Sequence, residues 1–346
     1  MKKSILIIIT LLIIIGIFFI GKNTTKNIDT KEKIKSVNLS TDYDIEQVLK
    51  DINDLNANTV NVPIVINIEN LNSNNIKIDD SSKNKAIELI KILKSKNIKV
   101  ILEAYPWIDN GSKYETDYNP KNKERFFKDW EHILDTLIKE IANKYDVDIL
   151  IVASNFSKLE VYEDNWCDIV KFVKNRFNGE VTYKTSWWYT ATWDKKSKEN
   201  YYKKLNNKVF SKVDFISIAA YFELSDKKEN TVKELINCLS STTIYNRHQN
   251  VVEEINNFYK KYNKEIYFAE LGFPRKDNAA TQPWNSQVSN TENNKEQARC
   301  FKAYKDVFQD KKYIKGFSVF AVGEKGNDKY FYPSKESIEV ISDWYK

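Results

Sequence analysis

Short β-rich runs alternate with helical stretches along most of this chain, and that alternation limits the possible folds more than any other feature. Eight such runs lie near Lys35–Leu39, Thr59–Ile66, Lys99–Tyr105, Asp148–Ala153, Glu180–Ser186, Phe215–Tyr221, Glu265–Leu271 and Gly316–Val322. Several are almost continuously apolar, among them IKVILEAY, VDILIVAS and DFISIAAY. Strands of that kind are buried on both faces, as in a parallel sheet covered by helices. Between the runs, apolar residues recur every three or four positions in Ala86–Lys96, Arg125–Tyr145, Cys167–Phe177, Val251–Tyr262, Glu296–Phe308 and Glu336–Tyr345. That spacing predicts amphipathic helices. Eight alternations predict an α/β fold, a single (β/α)8 TIM barrel over residues 34–346. A doubly wound sheet is the competitor, but its phosphate-binding signature is missing: Gly is only 8 of 346 residues, and neither G-x-G-x-x-G nor G-x-x-x-x-G-K occurs.

The N-terminus predicts a compartment. Lys2 and Lys3 precede an apolar run from Ile5 to Ile20, and Lys22 follows it. Residues 1–21 read as an uncleaved signal-anchor and residues 22–33, rich in Lys, Thr and Asn, as a polar linker. Two Lys ahead of the run favour an N-terminus inside the cell, so the barrel is expected to be membrane-anchored on the extracytoplasmic face. A cleaved signal peptide and a secreted barrel are the alternative.

Charge and composition exclude several function classes. The net charge of +6, from 54 Lys+Arg against 48 Asp+Glu, is spread as Lys with no dense basic run interleaved with aromatics. That describes a solvated surface, not a nucleic-acid interface. Three scattered Cys give no disulfide framework, and with only His132 and His248 a His-based zinc site is not expected. No metal or cofactor is expected, no G-x-S-x-G elbow is present, and the barrel is read as a monomer.

In a (β/α)8 barrel the chemistry sits at the C-terminal ends of the strands. The residues predicted there include Glu103 and Trp107 after the third run, Asn155 and then Glu160 after the fourth, Trp187 and Trp188 after the fifth, and Tyr221 and Glu223 after the sixth. Glu270 lies at the end of the seventh run, next to its last residue, in YFAELGFP, with Trp284 in the following loop. Aromatic faces stack on the C–H faces of sugar rings, while carboxylates hydrogen-bond hydroxyls or perform acid–base work. The combination points to a carbohydrate partner. Glu270, on a rigid strand end ahead of Leu-Gly-Phe-Pro, is the sharpest candidate for covalent attack on an anomeric carbon.

A family resemblance accompanies that reading. LNANTVNVP, ASNFSKLE, TYKTSWW, AAYFEL, FAELGFPR followed by AATQPW, and QARCFKAY occur in the order found in glycoside hydrolase family 113, the β-mannanase-like barrels of a large retaining clan. The resemblance implies Glu270 as nucleophile, oriented by Tyr221; Trp107, Trp187, Trp188, Trp284 and Glu103 are expected as substrate contacts from their place at the strand ends. It also places the acid/base Glu of strand four where this chain has Asn155. An amide neither donates a proton to a leaving sugar oxygen nor deprotonates water. Such general catalysis is worth ~10²–10⁴-fold. Glu160 could swing in as the acid, or Glu103 or Glu223 could serve from neighbouring strands. Otherwise the barrel is a membrane-tethered carbohydrate binder that has lost turnover. A protein-interaction scaffold without a sugar ligand is the third class, favoured if the Trp residues prove to be core.

Overall fold

The computed structural model of the protein describes residues 32–346, and Ile34–Lys346 forms one compact unit. The expected anchor at 1–21 and most of the expected linker at 22–33 lie outside the described residues. Among those described, no helix is long and apolar enough to cross a membrane.

The strands are β1 (Ile34–Leu39), β2 (Thr59–Ile68), β3 (Ile76–Ile78), β4 (Lys99–Ile108), β5 (Ile149–Ser154), β6 (Glu180–Ser186), β7 (Phe215–Ala219), β8 (Ile266–Leu271) and β9 (Ile314–Val322). All pair in parallel except β3, which returns antiparallel along β2. The order β1-β9-β8-β7-β6-β5-β4-β2 closes on itself through β1–β2, giving an eight-stranded barrel with helices outside. The expected (β/α)8 fold is therefore the observed one.

Parity along the strands divides the core in two. Val100, Leu102 and Ala104 on β4 point outward into the main helix-covered core, while Ile101 joins Ile34, Ile149, Ile151, Phe215, Tyr267 and Ala269 in a separate apolar cluster. These seven residues come from five strands and plug the barrel interior, the layered filling that makes such a barrel solid. Above the plug the interior turns polar, with Glu103 on β4 and Lys184 on β6, both buried. On the outer side of β5 and β6, Phe156, Trp166, Trp130 and Phe126 form one aromatic cluster against the helices.

Four helices beyond those expected surround the barrel: Ile45–Leu55, Lys195–Leu205, Val209–Lys212 and Val232–Ser240. The long helix expected over Arg125–Tyr145 runs as α-helix over Lys123–Leu137 and then widens into a π-type turn at Ile138–Ala142.

Candidate active site

A cleft of about 600 Å³ opens at the C-terminal mouth of the barrel. Its lining brings together Glu270, Asn155, Tyr221, Trp187 and Trp284 from the residues expected there. These arrive from the ends of β8, β5, β7 and β6 and from the loop after β8.

A slip in strand register accounts for the aim of Glu270. Phe268 packs outward on Tyr304 and Phe308, so unbroken alternation would turn Glu270 outward with it. The pairing of β8 shifts register against both neighbours between Phe268 and Leu271. An irregularity of that kind re-aims a side chain, and Glu270 lines the cleft instead. The Tyr221 hydroxyl donates a hydrogen bond to its carboxylate. Burial, followed by the nearby Glu270 charge, keeps the Tyr221 phenol well above its ordinary value and therefore protonated as a donor.

Lys184 rises beneath Glu270. Its ammonium contacts both Glu270 and Glu103, the latter at 2.5 Å, and its side chain is fully buried. Burial pushes the Glu270 carboxyl up; Lys184 and the Tyr221 hydroxyl oppose that push, while Glu103 adds to it. The two carboxylates hold Lys184 charged above its ordinary value despite its burial. Asn61 Nδ2 donates to Glu103 Oε2 at 2.7 Å, and Asn38 Nδ2 donates to the Ala269 carbonyl at 2.6 Å. Glu103 is thus a buried partner of Lys184 and Asn61, below the open cleft, and not the substrate contact expected of it.

Asn155 has φ +53°, the left-handed conformation that Asn tolerates better than most residues. Its Nδ2 donates to Glu115 Oε1 at 3.0 Å. Glu115, absent from the expected set, sits half-buried in the cleft wall on a short 3-10 turn, Glu115–Asp117, after β4. Burial raises its carboxyl to about 7; Glu270 adds to the rise, and the Asn155 amide opposes it. Strand-end counting could not reach Glu115, because it is seven residues past Ile108, the last residue of β4. A second acid in the cleft, Asp328, is raised by burial to about 6 and accepts a 2.6 Å hydrogen bond from Ser40.

Aromatic rings form another part of the cleft wall. Trp187 stacks toward Trp284 with ring centres 6.3 Å apart and meets Tyr221 edge-on at 5.5 Å. Trp284 Nε1 donates to Glu223 Oε1 at 3.2 Å, and Glu223 pairs with Arg247 at 2.6 Å. Glu223 therefore anchors a cleft tryptophan and has its carboxylate engaged. Trp107 lines an adjoining hollow that shares Glu115 and Phe320 with the cleft.

Two further expectations are corrected. Glu160 lies outside the cleft: both its oxygens contact Lys204 at 2.8 Å, and Thr185 donates to it at 2.8 Å. Thr185 follows Lys184 in β6, so by parity it faces the helices and not the barrel interior. Trp188 is buried among Tyr201, Phe222 and Phe258, and its indole donates to Glu254 at 2.7 Å. It is core, while its neighbour Trp187 is cleft wall.

Known structures resemble this chain throughout the barrel. A GH113 β-1,4-mannanase aligns with a TM-score of 0.72 at 20% identity, covering 91% of this chain and 99% of that one. The GH113 β-mannanase AaManA from Alicyclobacillus acidocaldarius, solved with ManMIm, aligns with a TM-score of 0.66 at 14% identity, covering 90% and 97%. At such identities the likeness speaks for the fold. No curated protein matches the sequence. The sequence model of Glycoside Hydrolase Family 113, however, matches residues 38–330, a span that includes every barrel strand except the start of β1. On that match the chain belongs to glycoside hydrolase family 113.

Proposed function

We propose that the protein is a retaining glycoside hydrolase acting on a β-linked polysaccharide or oligosaccharide, with mannan-like chains as the first class to test. The observation that carries this reading is the Glu270 carboxylate at the end of β8, facing a cleft walled by Trp187 and Trp284. Stacked rings of that kind hold sugar C–H faces. Glu270 attacks the anomeric carbon, and Tyr221 orients it through their hydrogen bond. The mannanase activity of the similar structures supports the choice of substrate class. We place the barrel outside the cell membrane, tethered through residues 5–20, on the strength of the Lys pair ahead of that run.

A second reading, a carbohydrate binder without turnover, draws on Asn155 and on the Lys184 contact that quenches part of the Glu270 charge. Reducing-sugar release from β-mannans, β-glucans and xylans by the full chain separates the two. Hydrolysis is expected, and Glu270→Gln is expected to lower it by at least about 10³-fold, roughly 4 kcal/mol of barrel-supplied stabilisation. Binding of oligosaccharide with no release from any polymer would leave only the binder.

A further inference from the structure

We propose that Glu115 is the general acid/base of this site, carried into the cleft by the loop after β4 and positioned by Asn155. The assignment rests on the hydrolase reading above and supplies the group that reading lacks. Glycosidic oxygens of ordinary sugars leave poorly without a proton, so the substrates would be unactivated β-glycosides.

Of two carboxyls that share the cleft with Glu270, Asp328 after β9 accepts a hydrogen bond from Ser40, whereas Glu115 is held by Asn155 at the end of β5. Glu103, Glu160 and Glu223 are each engaged with a cation, Lys184, Lys204 and Arg247 respectively. Glu115 lines the same cleft as Glu270, and Asn155 Nδ2 holds one of its oxygens at 3.0 Å. The Asn155 position at the end of β5 thus still serves the acid/base task, by orienting a carboxyl from the preceding loop, after β4, instead of bearing one.

The loop is built to hold a side chain still. Gly111, at φ +79°, turns the chain directly against Trp107; a Cβ there would sit 2.4 Å from the indole. Ile108 and Lys113 then bridge across the turn. Beyond Glu115, Tyr118 is buried between Phe126 and Phe156, and its hydroxyl donates to the Ser73 carbonyl at 2.7 Å. Asn119 N donates to the Leu71 carbonyl at 2.8 Å. Pinned at both ends, the turn presents Glu115 from a fixed base, as a catalytic group requires.

The steps balance. Glu115 gives its proton to the glycosidic oxygen as the C1–O bond breaks and the Glu270 carboxylate bonds to C1. The alcohol leaves. The Glu115 carboxylate then takes a proton from water, whose oxygen bonds to C1 and releases Glu270 with retained configuration. The groups facing Glu115 are Glu270 on β8, Lys184 on β6, Tyr105 on β4, Tyr221 after β7 and Asp328 after β9. With its carboxyl near 7, Glu115 is protonated below neutrality and loses that proton as pH rises through about 7.

The test uses the full chain with β-1,4-mannan oligosaccharides and with 2,4-dinitrophenyl β-mannoside, β-glucoside and β-xyloside. Glu115→Ala and the near-isosteric Glu115→Gln are expected to lose ~10²–10⁴-fold on oligosaccharide but to keep a burst of dinitrophenol. Azide is expected to restore turnover of Glu115→Ala, giving a β-glycosyl azide. The alkaline limb of kcat/KM near pH 7 should disappear in Glu115→Gln. It should move upward in Asn155→Ala, because the lost amide had been holding the Glu115 pKa down. Oligosaccharide turnover within threefold of the parent in both Glu115 variants would overturn the assignment alone. A parent that hydrolyses neither oligosaccharide nor any dinitrophenyl glycoside would overturn the hydrolase reading, and this assignment with it.

Discussion

Replacing Lys184 with methionine would strand two carboxylates, Glu103 and Glu270, without their shared cation. Removing one partner of a buried ion pair typically costs about 3–5 kcal/mol, because an uncompensated charge remains. In Lys184→Met the Glu270 carboxyl, pushed up by burial, would lose the cation that opposes that rise. The folded state would then hold protons that the unfolded state releases, so stability falls as pH rises through the ordinary carboxylate range and beyond. The variant is therefore expected to lose most stability at pH 8 and little at pH 5, read from denaturant unfolding at the two pH values. A deficit independent of pH would mean that packing, not charge, is what Lys184 supplies. The place of Glu270 in the cleft was legible in the sequence, because it stands at the end of a β-rich run just ahead of Leu-Gly-Phe-Pro. The Lys beneath it was not: Lys184 in TYKTSWW looks like any strand lysine until the barrel closes around it.

Trp187 and Trp188 are adjacent in sequence, and the end of β6 sends them to different places. Trp188→Ala is expected to cost about 3–5 kcal/mol in thermal or denaturant unfolding, since it empties a site among Phe222, Phe258 and Tyr201. Its effect on the Kd for oligosaccharide should be small. Trp284→Ala should do the reverse, weakening oligosaccharide binding by about tenfold in calorimetric titration, with a minor change in Tm. Equal effects of the two on Kd would contradict the division between wall and core. Elements with a strong apolar period were readable: the helix expected over Val251–Tyr262 has those bounds in the structure. Lys195–Leu205 escaped because KKSKENYYKKL buries only Ser197 and Tyr201, too little to mark a face. Val232–Ser240 carried two readable signals within nine residues, apolar Val232, Leu235, Ile236 and Leu239 at helical spacing and a capping box between Thr231 and Glu234.

For the whole molecule, the expected arrangement is a barrel outside the membrane and a short N-terminus inside. Protease treatment of intact cells should then remove a fusion tag placed after Lys346 and spare one placed before Met1; the opposite pattern would reverse the topology. The alternation of apolar runs and amphipathic helices was enough to specify the barrel, because strands buried on both faces demand helices on the outside and a closed sheet inside. The same alternation says which end of each strand bears chemistry. Sequence order alone did not determine which of the carboxyls there face the cleft. That was decided by a register slip in β8, by strand parity that turns Thr185 toward the helices where Glu160 meets it, and by a pinned loop that brings Glu115 to Asn155 across forty residues of chain. Strand ends follow from local periodicity, whereas the meeting of side chains from different strands follows only from how the ring of strands closes.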